Sequence, residues 1–271
     1  MNVKETPLSI EEIHKELLNP LKKITEICNN EGIKYFLAYG SLIGAVRHKG
    51  FIPWDDDLDI IMMRPDYERF IKYCEEHKER IYPYCIMTYT NTPGYPYAIA
   101  RFCDVVNFRM QKDDSINMGL FIDVYPFDVI KPGKERIIRF KKGIFNRLWF
   151  YAHYNKVVKS KSFFKNIGKY FFYFCSRFVT EKWTLEHLSN IAKKYSDSNG
   201  KYVGSLIWDA GLKTFDKEWF SKTNECEFEN VMVNVPYELD KVLRTSYGNY
   251  MQLPPIEKQI PTHEYILYKI Q

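Results

Sequence analysis

Between Trp54 and Arg64 the chain reads WDDDLDIIMMR, a run of acids that passes directly into apolar residues. DLDIIMM (57–63) has the length and character of a buried strand. A strand turns alternate side chains to opposite faces, so Asp57 and Asp59, either side of Leu58, share one face. Like charges ~6–7 Å apart on one face repel by a few tenths to a few kcal/mol, according to the local dielectric. A cation between them removes that repulsion. Hard carboxylate oxygens select Mg²⁺ or Mn²⁺, which keep waters and take further ligands from substrate phosphates. The pattern therefore points to a metal site for phosphoryl chemistry. A bare D-x-D is more often a solvated turn, and it is the apolar strand behind this one that argues otherwise. Asp55 and Asp56 fall in the preceding loop, as solvated acids or as partners of an outer-sphere water.

Upstream, KYFLAY (34–39) reads as a short buried strand. Gly40-Ser41 follows it, and LIGAVR (42–47) reads as a short helix. A helix N-terminus offers unpaired N–H groups and a positive dipole end, which suit a phosphate. Gly40 allows close approach to the backbone. Ser41 is placed to cap the helix and to donate to a phosphate oxygen. Arg47 and His48, just past the helix, are candidate phosphate contacts, and each is equally a surface residue. Trp54 either stacks on a nucleotide base or packs in the core. A third acid is expected, because two carboxylates rarely both hold an ion and activate a nucleophile. Asp123, inside the apolar GLFIDVYPFDVI (119–130), is the candidate, since an acid there is costly unless paired or metal-bound. Asp128 is the runner-up.

The flanking pattern is helical over 9–30, with a Ser9/Glu12 capping box, and again from Pro65 to about Lys78. Strands are expected at 84–89, 97–104, 106–110 and 119–130. This is an α+β, mixed α/β arrangement: a mixed sheet flanked by helices. Three stretches are expected: a catalytic core over 1–130, a helical basic and aromatic segment over 131–200, and strands with a helix packing back on the core over 201–271. In the last, KYVGSLIW and CEFENVMVNV (226–235) each read as a strand, and Pro236 opens a helix to about Ser246. The chain has 271 residues, 45 % apolar and 27 % charged, so it can bury a core without disulfides. Its six scattered cysteines read as reduced thiols, and no Cys or His spacing suits a structural zinc. The N-terminus shows no apolar leader segment, and a cytoplasmic protein is expected.

YGSLIGAVRHKGFIPWDDDLDI, followed by PDYERF, resembles the first motif of the LicD family of phosphotransferases with a nucleotidyltransferase fold. GLFIDVYPFD resembles that family's second acidic segment. RTSYGNYMQLPP, with His263 beyond it, resembles its C-terminal segment. The likeness spans about 30–130 and 237–263. It implies transfer of a phosphoalcohol, typically phosphocholine from CDP-choline, to a hydroxyl of a cell-surface glycan such as lipopolysaccharide, teichoic acid or capsule. Relatives of that family imply ribitol or glycerol phosphate as alternatives. The resemblance places the metal acids at Asp57 and Asp59, the third acid at Asp123 and the phosphate turn at Gly40 and Ser41, and it raises His263 as a candidate. Tyr39 departs from the small or acidic residue common there. A nucleotidyltransferase using the same acids, and a non-catalytic membrane-docked glycan-binding protein, are the competing readings.

Residues 134–177 combine abundant Lys and Arg with Phe140, Phe145, Trp149, Phe150, Phe163, Phe164 and Phe171, and Glu135 is the sole acid. Cations and aromatics at helical spacing fit a helix lying on an anionic membrane surface. The acceptor expected there is a lipid-linked glycan, and the protein is expected to be peripheral on the inner face of the cell membrane. Ordinary solvated helices and nucleic-acid binding fit the same composition less well, and nucleic acid is not the expected partner.

Overall fold

The computed structural model describes residues 6–111, 116–195, 199–208, 212–261 and 265–270. The first helix, α1 (Ile10–Glu31), starts as its capping box requires: Ser9 Oγ accepts from the Glu12 N–H, and the Glu12 carboxylate accepts from the Ser9 N–H. It stops at Gly32, whose φ of 60° is left-handed. Leu17, Leu21, Ile24 and Ile27 form its buried stripe. Each such side chain contributes roughly 1.5–3 kcal/mol of burial.

Then come β1 (Phe36–Leu37), α2 (Tyr39–Arg47), β2 (Asp59–Met63), α3 (Arg64–Glu76), the single turn α4 (Lys78–Ile81), β3 (Tyr84–Met87), β4 (Ala100–Asp104), β5 (Phe108–Gln111) and β6 (Leu120–Val129). Three helices follow: α5 (Glu135–Tyr154), α6 (Phe163–Ser176) and α7 (Glu181–Tyr195). The chain continues through β7 (Tyr202–Gly204), β8 (Phe215–Asp216), β9 (Thr223–Phe228), β10 (Val231–Pro236), α8 (Leu239–Tyr247) and β11 (Ile266–Lys269).

The main sheet runs β1-β2-β6-β4-β3, and β7 and β8 extend it from the far end of β6. Only β2 and β6 run parallel, and the other pairs in this sheet are antiparallel. This is the mixed α+β class expected. Their register sets Asp59 directly opposite Asp123. That pairing joins two segments far apart in sequence, and it positions the site. A large core lies between the sheet and its helices, while a smaller cluster forms where Ile138, Leu185, Leu188 and Ile191 meet Leu206 and Ile207.

Several elements differ from the sequence reading. Residues 226–235 are not one strand: β9 and β10 form a hairpin across Glu229 and Asn230, at φ 50° and 65°. Two left-handed residues make the tight turn that matches strand twist, and Glu-Asn is a weaker signal for it than Asn-Gly. The strand expected over 34–39 covers only Phe36–Leu37, and α2 already begins at Tyr39. The strand expected over KYVGSLIW is confined to Tyr202–Gly204. The helix after Pro236 starts at Leu239. All six cysteines are free.

Candidate functional site

Asp59 is the first residue of β2, two positions later than the spacing predicts, so Asp57 lies in the approach to the strand, not within it. The two acids are still neighbours. Burial raises the Asp59 carboxyl well above the usual range, and the charges of Asp57, Asp123 and Asp55 raise it further. Among the described residues its Oδ1 is buried with no hydrogen-bond partner. An orphaned anionic oxygen among other acids is costly without a cation, so these residues fit a divalent ion.

Asp123 sits across from Asp59 in β6 and is buried. Arg101 of β4 grips it through two contacts, Nε to Oδ1 at 2.6 Å and Nη2 to Oδ2 at 3.3 Å. The guanidinium lies between the rings of Tyr97 and Phe121, at 4.2 and 3.9 Å. The Tyr125 hydroxyl donates to Asp123 Oδ2 at 3.4 Å, and its hydrogen bonding also moderates the rise at Asp59.

The loop ahead of β2 contributes more acid than the sequence reading assigned. One carboxylate oxygen each from Asp55, Asp56 and Asp57 lies within 4.8 Å of the others, and Asp56 is buried. This loop is latched at two successive carbonyls. His14 of α1 makes a 2.6 Å hydrogen bond to the Asp55 carbonyl, and the Tyr265 hydroxyl donates to the Asp56 carbonyl at 2.7 Å.

The Gly-Ser turn is built differently from its expectation. Ala38 is the residue before α2, and no side chain caps the helix. Ser41 therefore does not cap: it lies within the first turn, where its Oγ accepts from the Asp59 N–H at 2.8 Å. The hydroxyl fixes the start of the acidic strand instead. Gly40 is glycine because a side chain there would collide with the Asp55 carboxylate. Tyr39 has φ 46°, a left-handed conformation that costs a residue with a side chain ~1–2 kcal/mol. Its ring stands edge-on to Tyr125 at 4.9 Å, and Tyr125 meets Trp208 at 5.9 Å.

Residues 32–177 match the family model described as LicD/FKTN/FKRP, nucleotidyltransferase domain. The chain belongs to the LicD family. Among its relatives, the lipopolysaccharide cholinephosphotransferase LicD of Haemophilus influenzae is 31 % identical over 273 residues, 94 % of this chain and 96 % of that protein. An uncharacterized protein of Rickettsia typhi is 28 % identical over 174 residues, 64 % of this chain and 52 % of its own length. Another, from Rickettsia prowazekii, is 34 % identical over 110 residues, 39 % of this chain and 38 % of its own length. The matched LicD domain contains every acid of the cluster, from Asp55 to Asp123.

The remaining candidates in this LicD chain fall around that centre. Arg47 donates through Nε to the His48 ring at 2.9 Å and through Nη1 to the Tyr250 carbonyl at 2.8 Å. It thereby ties the segment after α8 to the loop after α2. Partial burial and the adjacent Arg47 charge lower the His48 pKa. Trp54 is half-buried against the core and edge-on to His48 at 6.3 Å. His263 lies outside the described residues. Asp128 is not part of the cluster: it is fully buried near the other end of β6, where Arg64 Nε and Nη2 donate to its two oxygens at 2.8 Å.

Sequence reading missed Arg101, Tyr125 and Tyr247. Tyr125 had a signal, because it stands two residues beyond Asp123 and so on the same strand face. Arg101 had none, since only the register of β4 on β6 sets it opposite Asp123. Tyr247 is the last residue of α8. Its phenol is pushed up first by local burial and then by Asp59, Asp55 and Asp57.

Proposed function

We propose that this chain is a metal-dependent transferase that moves a phosphoalcohol, phosphocholine from CDP-choline, onto a hydroxyl of a cell-surface glycan or its lipid-linked precursor. The observation that carries the reading is the buried, unpartnered Asp59 oxygen amid Asp57, Asp55 and Asp123. The similarity to a lipopolysaccharide cholinephosphotransferase over nearly the whole chain supports the alcohol and the kind of acceptor. Asp57 and Asp59, with Asp123, would hold Mg²⁺ or Mn²⁺, which supplies neutralisation of charge on phosphoryl oxygens. Asp123 either completes that set or takes the proton of the acceptor hydroxyl. The hydroxyl oxygen attacks the phosphorus bearing the alcohol, the bond to the nucleotide phosphate breaks, and CMP leaves. Gly40, Ser41, Arg47, His48 and Trp54 are assigned to the donor side, and His263 to the substrate side. Arg101 positions Asp123.

Choline is favoured over ribitol or glycerol by the rings of Tyr39, Tyr125 and Trp208, which touch in sequence beside the acids. Aromatic faces attract a quaternary ammonium, and a neutral polyol gains nothing comparable. A peripheral place on the inner face of the cell membrane goes with a lipid-linked acceptor.

The test is to supply CDP-choline, Mg²⁺ and a lipopolysaccharide acceptor, and to measure CMP release and the acceptor's mass. A gain of phosphocholine is expected. A gain of a nucleotide would make the chain a nucleotidyltransferase, and no turnover with any CDP-alcohol would leave the non-catalytic reading. Trp208→Ala should raise KM for CDP-choline more than for CDP-glycerol.

A further inference from the structure

The basic aromatic segment does not behave as one unit. Its first helix, α5, is a core element: Ile138, Leu148 and Tyr151 are buried, and Trp149 Nε1 donates to the Pro96 carbonyl at 2.8 Å. The second, α6, is not. Among its residues Ser176 alone is buried, while Phe163, Phe164, Phe171 and Phe174, with Phe178 just beyond, are 73, 83, 61, 62 and 73 % exposed. At 100° per residue these five, with Ile167 and Tyr170, fall within an arc of roughly 120°. Ser176 lies on the opposite side. That side packs on α5, where Arg147 covers the Phe172 ring and Arg177 donates to the Tyr151 carbonyl at 3.2 Å. The apolar stripe thus points away from the fold.

Charge is arranged beside it. No carboxylate occurs between Glu135 and Glu181. The loop ahead of α6 carries exposed Lys156, Lys159 and Lys161. It is folded back on the helix: Lys169 Nζ donates to the Val158 carbonyl at 2.6 Å. Asn166 holds Ser160 on both sides, accepting from its N–H at 2.7 Å and donating to its carbonyl at 2.9 Å. The loop that carries these cations and the exposed Val158 is therefore clamped along the flank of α6, since Asn166 and Lys169 lie outside the stripe's arc.

We propose that α6 and its clamped loop form the membrane-docking element, lying in the interface of an anionic bilayer with the phenylalanines inserted and the lysines at the headgroups. Apolar residues of this size inserted on one face, with cations beside them, are what such a surface binds. A 14-residue helix is about 21 Å long, too short to span the hydrocarbon layer. Among the described residues no helix is long and apolar enough to cross a membrane. A second copy of the chain is the poorer occupant, because it would bring an equally basic surface against this one. The assignment stands on α6 and its loop, independent of the transfer chemistry.

The test is vesicle flotation of the full chain, without donor or acceptor, on phosphatidylcholine alone and on phosphatidylcholine mixed with phosphatidylglycerol. Binding several-fold stronger to the mixed vesicles is expected, and added salt should weaken it. Phe171→Ser with Phe174→Ser should lower partition at least tenfold with an unchanged melting temperature. Lys156→Gln with Lys159→Gln and Lys161→Gln should abolish the preference for phosphatidylglycerol. Phe164→Trp supplies an independent readout, since brominated lipid should quench the added fluorescence only if the stripe inserts. Binding that ignores lipid charge, an unquenched tryptophan, or a dimer that the double Phe variant converts to monomer would each overturn the proposal.

Discussion

β6 buries two carboxylates five residues apart, and they meet opposite fates. Asp128 gives both oxygens to Arg64 at 2.8 Å, one donor to each, and is closed off from solvent. Asp123 is also gripped by an arginine, but it stands in a crowd of acids, one of which has an oxygen with no partner among the described residues. At the Asp128 end one positive charge meets one negative charge, and the pair is structural. At the Asp123 end Arg101 answers one carboxylate while Asp59 beside it remains unanswered. A buried acid is thus not in itself a sign of function. Charge left over after the visible partners are counted is the sign, because a fold has no reason to keep it unless something else supplies the balance.

The largest effect should come from the unbalanced end. Asp59→Asn or Asp57→Asn keeps the shape and removes an anion, so CMP release from CDP-choline should fall at least ~10³-fold. A variant retaining near-parental release would erase the contrast between the two ends. Next is the balanced end. Arg64→Met strands the Asp128 carboxylate in the core, and breaking one side of a buried pair costs about 3–5 kcal/mol. A fall in melting temperature of roughly 10 °C is expected, with kcat per folded molecule preserved. If release collapses in the folded fraction, Asp128 belongs to the chemistry after all.

How far the sequence carried this contrast follows from what kind of contact made each part. The strand behind Asp59 was readable from its local apolar run, whereas the alternation that put Asp57 on the same strand face does not hold, because β2 starts only at Asp59. Helix α1 was readable too, since its capping box and closing glycine lie within its own few residues. Asp123 was readable as an acid out of place in an apolar run. The same reasoning drew in Asp128 as the runner-up, but it could not show what sets the two apart. What separates them is which arginine each meets: Arg64 starts the helix after β2, and Arg101 arrives by antiparallel pairing of β4 on β6. Such long-range partners leave no periodic trace. Gly40 likewise has a reason that the sequence did not show. Glycine was expected there to admit a phosphate; in the fold it also leaves room for the Asp55 carboxylate, a contact made by a loop whose path the sequence does not specify.

A divalent ion should register the difference as stability. Mg²⁺ at about 100 times its dissociation constant should stabilise the parent by ~2.7 kcal/mol, and EDTA should reverse the gain. Arg64→Met should show the same increment from its lower baseline, whereas Asp59→Asn should lose most of it. Equal stabilisation of Asp59→Asn would place the ion elsewhere.

The smallest effect has the most informative sign. The Asp59 carboxyl is raised in the folded state, first by burial and then by its acidic neighbours, so the folded chain holds a proton that the unfolded chain releases near 3.8. As pH climbs through that value the unfolded state loses its proton first, and the metal-free fold is progressively destabilised until Asp59 itself ionises. Asp59→Asn cannot ionise and escapes this penalty. In EDTA the variant should therefore match the parent near pH 4 and exceed it by about 1 kcal/mol at neutral pH, the scale of one unsatisfied buried polar atom. Urea unfolding across that range measures it. A variant less stable than the parent at neutral pH would mean that Asp59 is already balanced within the protein, as Asp128 is, and the two ends of β6 would no longer differ in kind.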